Sequence, residues 1–278
     1  MIINHDNHWR QNIGGGRRKV DYMIPEPVVW HAFDTLIRAG LVMQQGDVDG
    51  PADNWIGGPV VHLDLKPENL FVGDYPDQDA EDPENFALYP AFKLADFGHS
   101  IDNRRNPLDH RFYRRRGTPD YQAPEQTEDR FYRGTPPNEP LNTKTNVWGA
   151  GIIVMALMNL NTDAGQLTGA AADNNSRRPD QIPAFTADAM GKYSAPLRNM
   201  VISCLQFRQS DRPTFRTLQT QLGNVTGLGM QGPGSRDYTE GARRATRNNT
   251  PPNYRPLMHL RANAYALGLA APPVNTAI

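Results

Sequence analysis

Apolar side chains recur at Val29, Phe33, Leu36, Ile37 and Leu41, one stripe of a helical period, and Pro25 stands ahead of them where a first helical turn tolerates proline. The spacing predicts an amphipathic helix beginning near residue 25. A run of Gly, Pro and Asp over 45–59 ends it, and three short β-like groups follow at Val60-Val61, Leu70-Phe71-Val72 and Phe92-Lys93-Leu94-Ala95. Residues 147–158 are apolar on nearly every face, the mark of a helix buried at the centre of a helical domain. Leu197, Val201, Cys204 and Leu205 repeat at helical spacing, as do Phe215, Leu218 and Leu222. The fold class expected is mainly α (α+β), about six helices with a few short strands. Residues 1–24 are expected to be irregular and 25–222 to form one domain. Residues 223–278, rich in Gly, Pro, Asn and Arg with weak periodicity near 257–269, are expected to be a disordered tail.

Charge and composition narrow the function classes. The 278 residues carry a formal net charge of -1, which supplies no global field for collecting nucleic acid or anionic membrane. The longest strongly apolar stretch, 148–158, is about half the ~20 residues a bilayer span needs, so no membrane partner is expected. Residues 1–10 lack the apolar core of a secretory signal, and the single cysteine, Cys204, excludes an internal disulfide. Both point to an intracellular protein of the cytoplasm or nucleus. Residues 74–84 are rich in acids and prolines and read as a solvated insertion. Arginines gather at 104, 105, 111 and 114–116, and again at 243, 244 and 247, without a stacking platform or reading motif, so no nucleic-acid partner is expected. The first group points instead to an acidic protein, or to the chain's own 74–84 segment.

The candidate chemistry lies between the first two short strands. His62-Leu63-Asp64-Leu65-Lys66-Pro67-Glu68-Asn69 follows the pattern H-R-D-L-x-x-x-N except at Leu63; Asp96-Phe97-Gly98 follows the third strand; and 117–125 ends in Ala123-Pro124-Glu125. Asn146-Val147-Trp148-Gly149 and Arg212-Pro213-Thr214 extend the order of motifs. Over residues 25–222 the chain resembles the C-terminal lobe of a eukaryotic-type serine/threonine protein kinase. That resemblance implies transfer of the ATP γ-phosphate to serine or threonine hydroxyls of a protein substrate, with ATP and Mg²⁺ as cofactors. The reaction's loose, anionic transition state asks mainly for positioning and charge neutralisation. The resemblance makes Asp64 the base that orients the acceptor hydroxyl and Lys66 a second catalytic residue on the transferring phosphate. It assigns Asn69 and Asp96 to the metal and, with Lys66, to the nucleotide. His62 is expected to be a packing residue, Glu125 and Arg212 a buried structural pair, and Gly98 and Pro124 shapers of the backbone.

Three departures from the pattern carry expectations of their own. Leu63 replaces an arginine that receives activation-segment phosphate, so phosphorylation at Ser100, Tyr113 or Thr118 is not expected to act through residue 63. Asn146 stands where the family has an aspartate bracing the catalytic loop, and its amide oxygen is a weaker acceptor. Only 24 residues precede the first predicted helix, fewer than the about 36 that an N-lobe's strands and helix require. The N-lobe is therefore not expected within this sequence, and the chain alone is expected to be inactive. A partner is expected over the surface that such a lobe would cover. Gly227, Gly229 and Gly232 do spell G-x-G-x-x-G, but they trail the last helix and are not expected to bind phosphate. The alternative expectation is a non-catalytic pseudokinase or scaffold built on the same lobe.

Overall fold

The structure is a computed structural model that describes residues 23–24, 26–50, 58–73, 91–102, 110–126, 140–161 and 184–226. The order of elements is α1 Glu26–Gln45, β1 Val60–Val61, β2 Leu70–Val72, β3 Phe92–Leu94, β4 Ile101–Asp102, α2 His110–Tyr113, α3 Thr143–Asn159, α4 Ala187–Lys192, α5 Ala195–Cys204 and α6 Phe215–Thr226. Single 3-10 turns occur at Pro67–Asn69, Pro119–Tyr121, Pro124–Gln126 and Gln209–Asp211.

The core is built on α3. Every residue from 145 to 159 is buried, so the helix has neighbours on all sides, as its unbroken apolar run predicts. Its ends are set locally. Asn142 accepts a hydrogen bond from the Lys144 backbone N–H at 2.8 Å, and Thr145 Oγ1 accepts from Asn142 N at 3.2 Å, a reciprocal cap. At the other end Leu160 turns left-handed with φ 50°. The apolar stripe of α1, with Val29, Phe33, Leu36, Ile37 and Leu41 buried, packs on α3 and α6, and α5 packs on α3.

Two boundaries differ from the sequence expectation. Met23 and Ile24 are buried, and Tyr193 donates its hydroxyl to the Ile24 carbonyl at 2.9 Å, so the domain begins inside the segment read as irregular. The cause is tertiary: two apolar residues carry no period and show their role only when α4 and α5 come alongside. At the same joint the Glu26 carboxylate accepts from the Ser194 backbone N–H at 2.9 Å, where a negative charge favours the N-terminus of α5. The last helix runs on to Thr226, four residues into the segment read as a tail, while the rest of that segment, the 74–84 insertion and the Gly14–Gly16 run lie outside the described residues.

Among the described residues, four strands form two antiparallel pairs. Strand β1 pairs β4 with Val60 opposite Asp102 and Val61 opposite Ile101; β2 pairs β3 with Leu70 opposite Leu94 and Val72 opposite Phe92. The loop 62–69 therefore leaves β1 and enters β2 while 95–100 leaves β3 and enters β4, which brings two separate motif segments to one place. Among the described residues no helix is long and apolar enough to cross a membrane.

Candidate active site

The 62–69 loop is held in a shape that its own sequence does not favour. Leu63 has φ 65°, a left-handed conformation costing a branched residue roughly 1–2 kcal/mol. Surrounding contacts fix it there. The Leu63 side chain is buried with Val61 and Leu141, against Ile101 and Tyr113, and its carbonyl accepts from Gln126 Nε2 at 3.0 Å. Gly117 lies so close that an added Cβ would stand 2.0 Å from the Leu63 oxygen, and its own φ is +85°, so glycine is required there twice over. A hydrophobic cluster thus surrounds Leu63, and Tyr113 is part of it.

Two buried polar residues brace the loop. His62 donates its backbone N–H to Asn146 Oδ1 at 2.9 Å, and Asn146 Nδ2 donates to the Val60 carbonyl at 2.8 Å, so the amide serves both sides of the loop from the buried face of α3. The His62 ring lies 3.2 Å by Nε2 from the Ala95 carbonyl, and its Nδ1 accepts from the Asp64 backbone N–H at 3.3 Å. Phe97 packs against it with the rings tilted by 54° and their centroids 4.7 Å apart. Burial pushes the imidazole below its ordinary value, with the Ala95 carbonyl and the Asp64 and Asp96 carboxylates opposing in part. Packing explains this histidine, as the sequence suggests. Leu65 rests on α3 at Gly149, where a side chain would collide with it at 2.4 Å.

These supports aim Asp64, Lys66 and Asn69 at one point. Asp64 Oδ2 lies 3.0 Å from Lys66 Nζ and 3.4 Å from Asn69 Nδ2, which also donates to the Asp64 carbonyl at 2.8 Å. Asp64 Oδ1 accepts from both the backbone N–H of Thr118, at 2.8 Å, and its hydroxyl, at 2.9 Å. Lys66 Nζ donates to the same hydroxyl oxygen at 2.8 Å. Burial pushes the Asp64 carboxyl up, but the hydrogen bonds from Lys66 and Thr118 and the lysine charge together outweigh it and hold the group below the usual carboxylate value. It is an ionised, oriented acceptor.

Asp96 stands apart from that group. It is exposed, at φ 63°, with Oδ1 accepting from the Gly98 backbone N–H at 3.3 Å and no bond to Asp64, Lys66 or Asn69. It is nonetheless tethered beside them, because Ala95 N donates to the Asn69 carbonyl at 3.0 Å. With Asn69 Nδ2 committed to Asp64, the Asn69 amide oxygen and the Asp96 carboxylate are the atoms a cation would meet. One amide oxygen and one carboxylate suit a hard divalent ion such as Mg²⁺ that takes its remaining ligands from phosphate and water. Among the described residues no group of three or more His, Cys, Asp or Glu is placed to hold a metal alone.

Behind the site, Arg212 grips Glu125 through two bonds of 2.8 Å, both side chains fully buried. Arg212 also donates to the carbonyls of Gln206, Phe207 and Lys144, and Thr145 Oγ1 donates to Glu125 Oε1 at 2.8 Å. Burial pushes the Glu125 carboxyl up; Arg212 and further hydrogen bonds bring it below its ordinary value. Two contributors escape a reading of the sequence. Thr118 stands out there only as a hydroxyl open to phosphorylation, whereas it is bonded to Asp64; Gln126, which holds Leu63, carries no local signal because its partner is 63 positions away.

The model of the protein kinase domain matches residues 57–222. CBL-interacting protein kinase 32 of Oryza sativa subsp. japonica is 26% identical over 164 residues, covering 56% of this chain and 32% of its own length. A serine/threonine-protein kinase of Drosophila persimilis is 30% identical over 190 residues, covering 65% of this chain and 20% of its own. A serine/threonine-protein kinase of Rattus norvegicus is 35% identical over 102 residues, 37% of this chain and 10% of that protein. The chain thus spans about a third or less of the length of these relatives.

Proposed function

The chain belongs to the protein kinase family, and from that premise we propose that it transfers the γ-phosphate of ATP to serine or threonine hydroxyls of a protein substrate. The observation that carries this reading is the Asp64 carboxylate, ionised and clamped between Lys66 Nζ and Thr118. In the reaction Asp64 orients the acceptor hydroxyl and takes its proton, while Lys66 lends positive charge to the transferring phosphoryl group. Asn69 and Asp96 would hold Mg²⁺, which would neutralise the nucleotide's phosphate charge. Lys66 suits its part because a flexible ammonium can leave Thr118 for a phosphate without breaking a fixed fork of bonds. The brace on the loop also favours a working site: Asn146 still bonds both His62 N and the Val60 carbonyl.

A second reading rests on a different observation. Phe97, beside His62, and Phe71, on β2, are 48% and 50% exposed, apolar surface that suits a covering partner and a lobe serving as a docking module. The two readings separate in an assay of phosphate transfer from labelled ATP to a mixed protein substrate. Against the expectation that the chain alone is inactive, the kinase reading requires transfer by the chain, cut by about 10²–10⁴-fold in Asp64→Asn, the range for losing a general base. Transfer that survives that substitution unchanged would sink the assigned role of Asp64. A folded chain that transfers nothing leaves the docking module as the reading of this lobe.

A further inference from the structure

Three consecutive arginines, 114–116, lead directly into Gly117 and Thr118, the residue bonded to Asp64. Their backbone is pinned: Arg115 N donates to the Gln126 carbonyl at 2.8 Å, and the Arg116 carbonyl accepts from Gln122 Nε2 at 3.1 Å. The Arg114 Nε is buried, so outward contact falls to Arg115 and Arg116. Arg115 is exposed, with φ 70°. The Arg116 guanidinium lies over two rings, 4.6 Å from the centroid of Tyr113 and 5.7 Å from that of Phe112, and makes no ion pair among the described residues. The rings meet edge to face at 5.4 Å, and Phe112 is 68% exposed. Stacking of this kind orients the guanidinium plane while leaving its N–H edge to bind. Among the described residues, Asp64 is already bonded to Thr118 and Lys66, Glu125 is bonded to Arg212, and Asp120 is exposed.

Distance links this cluster to the acceptor position. Arg116 is two residues from Thr118, so their Cα atoms are at most about 7.6 Å apart, and an extended peptide advances about 3.3 Å per residue. An anionic group within about three residues of the accepting hydroxyl is thus within reach of the arginine side chains.

We propose that, within the phosphotransfer reaction inferred above, Arg115 and Arg116 select protein substrates carrying an anionic side chain within about three residues of the accepting serine or threonine. Arg116 is the main determinant, its fork already oriented by Tyr113 and Phe112 to take the paired oxygens of a carboxylate or of a phosphoryl group already on the substrate.

The test is a binding titration without nucleotide, by fluorescence anisotropy, using serine peptides identical except for flanking Asp, phosphoserine or Ala. The acidic peptides are expected to bind about fivefold tighter than the alanine peptide, the size of one exposed ion pair. In the double variant Arg115→Ala, Arg116→Ala that preference falls away while the alanine peptide binds as before, and the melting temperature reports that the fold is kept. Arg116→Lys restores only part of it, since an ammonium lacks the fork. Whether Asp or phosphoserine gives the larger gain tells which anion the site takes. Equal binding of acidic and neutral peptides, no measurable binding of any peptide, a preference that outlives the double variant, or equally tight binding of a single-stranded oligonucleotide each overturns the proposal. Phosphate transfer is read separately: selective binding without transfer sinks the kinase reading alone, and transfer blind to flanking charge sinks the specificity alone.

Discussion

His62 shows how much of the site is decided one side chain at a time. Its ring is fully buried, lies between the Ala95 carbonyl and the Asp64 backbone N–H, and is held below its ordinary titration value chiefly by desolvation. The unfolded chain titrates this histidine near 6.5 and the folded chain lower. Between those two values the unfolded state binds the extra proton, so stability grows as pH rises through the interval and is lost as pH falls through it. We expect the melting temperature to climb as pH is raised toward about 6.5 and then to level, with that slope abolished in His62→Asn. A slope unchanged in the variant assigns the titration to another group. Asp64 acts in the same sense, in a lower range of pH. Its carboxyl is depressed, so the stability it contributes is present above the ordinary carboxylate value and lost only as pH falls through its own lower one. The His62 interval thus opens at a higher pH than the carboxylate interval, so the part of the slope above the ordinary carboxylate value is read without Asp64.

The turns around the site, more than its long helices, depend on tertiary partners. The turn Pro124–Gln126 is tied to the turn Gln209–Asp211 and to the start of α3 by the buried pair of Glu125 and Arg212, each bonded to backbone or hydroxyl groups as well. Removing one partner leaves a buried charge and orphaned carbonyls, at about 3–5 kcal/mol. Arg212→Ala is therefore expected to lower the melting temperature by about 6–20 °C, whereas replacing Glu125 and Arg212 together by apolar residues of similar size costs less than either single change. A double-mutant cycle by thermal melting checks this, and additive losses would refute the coupling. The same dependence explains what was legible in the sequence. Helices α1, α3, α5 and α6 announce themselves because their apolar periods are long, and β1, β2 and β3 because short branched or aromatic groups sit between turn residues. The short α2 and α4 have too few residues to show a period. Asp64, Lys66, Asn69 and Asp96 are legible as an ordered motif, but the approach of Thr118 and Gln126 depends on a glycine at φ +85° against a leucine at φ 65°, which local pattern does not encode.

At the scale of the whole molecule, a helical scaffold centred on α3 carries two loops to one point and leaves Asp96 exposed beside them. The scaffold is held by its own core, with α1, α5 and α6 packed around α3, so its cooperativity does not require a nucleotide. That separation makes ligand binding readable as a change in melting. A ligand that binds only the folded state, at ten times its dissociation constant, adds RT ln 11, about 1.4 kcal/mol, which for a domain of this size raises the melting temperature by about 3–6 °C. Mg-ATP is expected to give such a rise in the wild-type chain and none in Asp96→Ala, each read against its own ligand-free melt, since alanine at φ 63° and the lost bond from the Gly98 backbone N–H lower the variant's baseline. A rise that persists in Asp96→Ala would place the nucleotide elsewhere and remove Asp96 from the metal's ligands. No rise, in a chain that melts cooperatively, would mean that this chain does not hold nucleotide by itself, and the half-exposed Phe71 and Phe97 would then be the surface on which its role depends.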